Sequence, residues 1–127
     1  MARLPLTVQS PAGFWPTLPL TAGAEDFTWT DSTAQFADGF SFVNTGREIL
    51  LVRNDTGGAL TITISSVALL PYNRTGDITT YSVGNGEYAW FGPFKPSGWN
   101  QAGTNLLYGA ASGDDVFLAV CRLPILN

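Results

Sequence analysis

The sequence predicts an all-β protein, and three observations carry that prediction. Short runs rich in Val, Ile, Thr, Phe, Tyr and Trp recur roughly every 8–12 residues between turn-forming Gly, Asn, Asp and Ser. Several runs alternate apolar and polar residues with the period of two that belongs to a half-buried strand. No segment sustains a helical period with caps. Some eight short strands, as in an antiparallel β-sandwich or a jelly-roll-like domain, are expected over residues 21–127. An extended, Pro-rich N-terminal arm is expected over residues 1–20.

That first segment, MARLPLTVQSPAGFWPTLPL, differs in character from the rest. Pro5, Pro11, Pro16 and Pro19 each remove a backbone donor and fix φ, which excludes a helix and a central strand alike. The apolar residues between them are more numerous than a disordered linker carries. The segment is therefore either an arm lying on a neighbouring subunit or an edge strand and loop folded back on its own domain. As an arm it makes its contacts through Leu4, Pro5, Leu6, Val8, Pro11, Phe14, Trp15, Pro16, Leu18 and Pro19.

Beyond the arm, FTWT (27–30) and FSFV (40–43) predict strands, the second closed by the turn NTG. EILLVRN (48–54) and LTITISS (60–66) flank DTGGA, whose Asn54, Asp55 and glycines predict a hairpin turn. Leu60, Ile62 and Ile64 alternate with Thr61, Thr63 and Ser65, so one face is buried and the other carries hydroxyls. ITTYSV (78–83), EYAWFGPF (87–94), NLLYGA (105–110) and VFLAVCRL (116–123) predict the remaining strands. In EYAWFGPF the set Tyr88, Trp90, Gly92 opposes the set Ala89, Phe91, Pro93, and one set belongs to the core. The loop KPSGWNQAG follows, and Phe94, Pro96 and Trp99 are candidate contact residues around it. Trp99 is the best placed to stack on a sugar, but core or interface packing is the preferred reading of it.

Composition narrows the function. Only 13% of residues are charged, about half the usual share, so neutral side chains or partner subunits must cover much of the surface. The net charge is −4 and the Lys and Arg residues are scattered singly, which disfavours a nucleic-acid partner. Histidine is absent, removing Ser-His-Asp and Cys-His catalysis and the commonest zinc ligand. The single cysteine, Cys121, permits no internal disulfide and is expected to be a buried, inert thiol. No apolar run is long enough to span a bilayer, and the N-terminal residues lack a signal-peptide apolar core, so synthesis in a cytoplasm is expected. No cofactor, metal or membrane partner is expected.

Asp55-Thr56-Gly57 also spells the catalytic tripeptide of dimeric aspartic proteases. Such an Asp needs an apolar approach strand and a proton shared with its twin. Arg53 stands two positions away and favours the ionised carboxylate instead. The pairs Glu25-Asp26 and Asp114-Asp115 point to opposite sides of an extended chain and form no acid/base dyad. No catalytic residue is assigned, and the chain is expected not to be an enzyme.

The run TGREILLVRNDTGGALTITISS, then GEYAWFGPF with Trp99 soon after, and the ending VFLAVCRLP resemble the small head decoration, or cement, proteins of tailed bacteriophages. The likeness covers roughly residues 40–124, with an echo in LPLTAGAEDFTWT. The resemblance implies a jelly-roll-like domain that forms a homotrimer on the capsid exterior and clamps major capsid protein subunits. An arm reaching a neighbour suits that role. The alternatives are another phage tail, connector or receptor- or carbohydrate-binding β module and, more remotely, a protease dimer using Asp55.

Overall fold

A computed structural model describes residues 3–11, 26–31, 39–67, 76–113 and 116–124. Within them the chain is nearly all β. The strands are β1 (Leu4–Pro5), β2 (Val8–Gln9), β3 (Thr30–Asp31), β4 (Phe40–Val43), β5 (Glu48–Asn54), β6 (Leu60–Ser65), β7 (Ile78–Val83), β8 (Tyr88–Phe91), β9 (Leu106–Ala111) and β10 (Val116–Arg122). One helical turn, α1 (Pro96–Trp99), lies between β8 and β9. Most expected strands are present with boundaries shifted by a residue or two. FTWT contributes only its last residue to β3, and EYAWFGPF stops at Phe91, before Pro93, which has no N–H to continue a ladder.

Two sheets pack together. One has the order β1-β4-β9-β6-β7 and the other β2-β10-β5-β8, with β3 also on β10. Four pairs are nested along the chain: β6 with β7, β5 with β8, β4 with β9, and β3 with β10, all antiparallel. Successive nested pairs fall in alternate sheets, so the chain from β3 to β10 is one long hairpin folded over on itself. Antiparallel pairing of β5 with β10 and of β6 with β9 completes each sheet.

Two local expectations are corrected by this topology. DTGGA is not a hairpin turn, because β5 and β6 lie in different sheets and do not pair. The stretch instead arches from one sheet to the other, with Gly57 at φ 93°. An arch and a hairpin demand the same turn residues, so local sequence does not separate them. The sheets are also mixed rather than purely antiparallel, since β1 runs parallel to β4 and β2 parallel to β10.

Both parallel pairs come from the N-terminal segment. Leu4 N donates to Gly39 O at 3.0 Å and Leu6 N to Ser41 O at 2.8 Å. Pro5 lies between these donors at the sheet edge, where its missing N–H leaves no ladder bond unmade. The chain then crosses to the second sheet, and Leu6 enters the core at the crossing, only 6% exposed. Residues 4–9 are thus edge strands on the domain's own sheets, the second of the two alternatives for this part of the segment.

The core lies between the sheets. In β5 and β6 every second residue is buried, which places Leu50 and Val52 opposite Leu60, Ile62 and Ile64. Phe40, Phe42, Leu107, Leu118 and Val120 fill the space between them. Each such side chain contributes roughly 1.5–3 kcal/mol on burial. Gly109 is glycine for lack of room: a Cβ there would stand 2.4 Å from the buried Phe40 ring.

Candidate functional site

The outer faces of the two sheets differ. On the first sheet, β6 turns Thr61, Thr63 and Ser65 outward and β7 exposes Thr79, Thr80 and Ser82. This is the hydroxyl face expected from the alternation. The second sheet is apolar on both sides. While Leu50 and Val52 of β5 point inward, Ile49 and Leu51 point outward. Register places Trp90, Leu51 and Ala119 in one row across β8, β5 and β10, and Tyr88, Arg53 and Phe117 in the next.

The edge strand β8 carries the most exposed aromatic residues of this face. Trp90 is 75% exposed and Tyr88 68%. Trp90 stands as a ridge between two shallow clefts. One, of about 280 Å³, is lined by Ile49, Phe91, Gly92, Pro93 and Leu123 besides Trp90 itself. The other, of about 270 Å³, is lined by Leu51, Tyr88 and Ala89. Trp29 reaches Tyr88 with ring centroids 6.2 Å apart, and Phe27 packs edge-on against Trp29, extending the aromatic surface.

Buried polar groups hold this face rigid. At one end of β5, Asn54 is fully buried, yet its side chain is satisfied. Its Nδ2 donates to Gly58 O and Val83 O at 2.8 Å each, and its Oδ1 accepts from the Thr56 amide and hydroxyl. The Asn54 backbone bonds Glu87 O and Gly86 N, which fixes the turn feeding β8. Beyond the other end of β8, Asn44 Nδ2 donates to Phe94 O at 3.1 Å and to Asn100 Oδ1 at 2.7 Å. The ridge is therefore anchored before and after Trp90.

Glu48, at the start of β5, is a wholly buried carboxylate. Burial alone pushes its carboxyl up. The Thr45 N–H, the Arg122 guanidinium, the Thr45 hydroxyl and the Arg47 N–H all donate to it and together bring it down to about 2. Arg122 is the cross-strand partner of Glu48 on β10, so the pair joins the two central strands of the apolar sheet. Cys121, also on the outer side of β10, is half-buried, and burial pushes its thiol up, which keeps it protonated and unreactive.

Among the residues singled out from sequence, Leu4 and Pro5 form β1, Leu6 is core, Val8 packs against the core from β2, and Pro11 is exposed. Phe14, Trp15, Pro16, Leu18 and Pro19 lie outside the described residues. Phe94 is buried and Trp99 half-buried, their ring centroids 5.0 Å apart, while Pro96 is exposed. Trp99 also lines a shallow cleft with Ser66, Lys95 and Ser97. Asp55 sits in the arch with its side chain 56% exposed, paired with Arg53 at 3.1 Å.

Sequence reasoning missed Trp90 and Tyr88, whose set in EYAWFGPF is the outward one. A signal was present. The run Ile49-Leu50-Leu51-Val52 and its counterpart in VFLAVC are apolar without alternation, the mark of a strand covered on both faces. Among the described residues no three His, Cys, Asp or Glu side chains gather as a metal site, and no helix is long and apolar enough to cross a membrane. Comparison with known proteins finds no matching family model, no matching curated protein and no matching solved structure.

Proposed function

We propose that this chain is a non-enzymatic structural protein of a tailed-phage virion, a decoration or cement protein that binds major capsid protein on the capsid exterior as a homotrimer. The observation that carries the reading is the outer face of the second sheet. An exposed tryptophan flanked by apolar clefts suits burial against another protein subunit. Rigid anchoring of β8 suits a contact that must hold its geometry under load. The resemblance of residues 40–124 to phage cement proteins supplies the capsid as partner, and the host cytoplasm as the site of synthesis.

The strand order supports a jelly-roll-like description. Counting from β3 to β10, eight strands form nested pairs split between two sheets, as two Greek keys require. An arm is proposed over residues 12–20, which include Phe14, Trp15, Pro16, Leu18 and Pro19. Its two flanks are tied together, because the Gln9 side chain bonds the backbone N–H and C=O of Thr28 at 2.7 and 2.8 Å. A sugar-binding role ranks lower, since the cleft between Trp90 and Leu123 is lined almost wholly by apolar groups and offers hydroxyls few polar partners.

The test is location. Virions of the phage that encodes this chain are purified on a density gradient and probed with antibody against it. The reading requires the protein at stoichiometric amounts on the outside of the head, released together with head stability at high ionic strength or on mild heating. Absence of the chain from purified virions overturns it.

A further inference from the structure

We propose that Asn85 is a site of spontaneous deamidation that the fold holds intact, and that it converts only when the turn around it opens. Asn-Gly occurs once in the chain, at Asn85-Gly86, in the exposed turn between β7 and β8. Glycine has no Cβ to shield its own nitrogen, so the Gly86 amide can reach the side-chain amide of the residue before it. The chemistry needs only water. The Gly86 nitrogen gives up its proton and bonds to Asn85 Cγ. The Cγ–Nδ2 bond breaks, and ammonia leaves with that proton. Water then opens the resulting succinimide ring at either carbonyl, giving aspartate or isoaspartate at this position.

In the folded chain the two reacting groups are tied to different elements. Gly86 N donates to the backbone oxygen of the buried Asn54, on β5, at 2.7 Å, so the nitrogen that must attack is already committed. Asn85 Oδ1 accepts from Gly57 N in the DTGGA arch, also at 2.7 Å, which fixes the side chain across to the arch. Glu87 N closes the turn on Gly84 O at 3.0 Å, and the Glu87 carboxylate accepts from Gly84 N at 2.8 Å. The Gly57 bond draws electron density from Cγ and favours attack once the nitrogen is free, so the protection lies in the Gly86 bond. Opening of the turn, not exposure of the Asn85 side chain, therefore sets the rate. The products differ in consequence. Aspartate keeps an acceptor for Gly57 N, whereas isoaspartate inserts a methylene into the backbone of the turn that leads into β8.

The full-length protein is incubated in mildly alkaline buffer, native in one series and unfolded in guanidinium chloride in another. Peptide mapping by mass spectrometry follows the exchange of amide for acid at Asn85, and electron-transfer fragmentation separates aspartate from isoaspartate. In the unfolded chain Asn85 is expected to convert ahead of every other Asn, and in the native protein roughly tenfold more slowly or slower still. Asn54→Ala removes the buried side chain that holds the neighbouring Val83 carbonyl and is expected to speed the native reaction severalfold. Guanidinium chloride below the unfolding transition is expected to speed it in the wild type, which keeps the test open if Asn54→Ala does not fold. An Asn85 that converts as fast in the native protein as in the unfolded chain overturns the protection. One that survives in the unfolded chain overturns the site. A native rate that neither the variant nor the denaturant changes overturns turn opening as the controlling step.

Discussion

Replacing Glu48 with Gln isolates one buried charge and gives it a measurable pH signature. The folded carboxyl titrates at about 2, against an ordinary 4.5. A difference of that size corresponds to about 3 kcal/mol of stability at neutral pH. Because the folded value is depressed, this contribution is complete above 4.5 and is lost as pH falls towards 2. Gln keeps the shape but loses the charge, leaving Arg122 without its partner and several N–H donors with a weaker acceptor. Removing one member of a buried pair typically costs about 3–5 kcal/mol, in agreement with the linkage figure. For a domain of this size the melting temperature should drop by roughly 10 °C at pH 7. The assay is paired urea unfolding of wild type and Glu48→Gln at intervals from pH 7 to pH 2.5. Taking the difference between the two proteins cancels the other carboxylates. The gap should be widest and flat above pH 5 and should close steadily below 4.5. A gap that stays constant down to pH 2.5 would refute the charge argument and leave only a packing defect.

Two further substitutions test how the face and the edge segment are built. Leu6→Ala should cost about 2–5 kcal/mol, since it empties a core position where the chain crosses between sheets. A change under 0.5 kcal/mol, read by chemical denaturation, would mean that residues 4–9 do not belong to the fold. Asn54→Ala should cost about 1–3 kcal/mol by removing the side-chain donor to the buried Val83 carbonyl, while Gly58 O keeps the Thr56 hydroxyl. Amide exchange at residues 83–88 should quicken with it, and unchanged protection there would show that the turn feeding β8 does not depend on Asn54.

Much of the fold is legible in the residue pattern. The alternation in LTITIS and the turn residues around each run locate most strands, and the hydroxyl face of β6 lies where the pattern puts it. The candidate site is less legible. The set with Trp90 and Tyr88 is not told apart from the set with Ala89 and Phe91, because a period of two says only that two faces exist, not which one is inside. Leu4 to Gln9 present a similar ambiguity. A Pro-rich extended segment satisfies an edge strand and an arm equally well, and only its partners β4 and β10 show that it runs along its own domain.

Local sequence suffices to read an all-β protein that lacks the histidine for common catalytic triads, and to place most of its strands to within a residue or two. These are properties of neighbours along the chain, set by backbone sterics and side-chain period. Long-range pairing makes DTGGA arch between sheets, mixes the strand directions, and turns Ile49, Leu51 and Phe117 of β5 and β10 away from the core. Strand pairing joins residues as distant as Arg122 and Glu48. The side that faces water depends on where the other sheet packs, which no local pattern encodes.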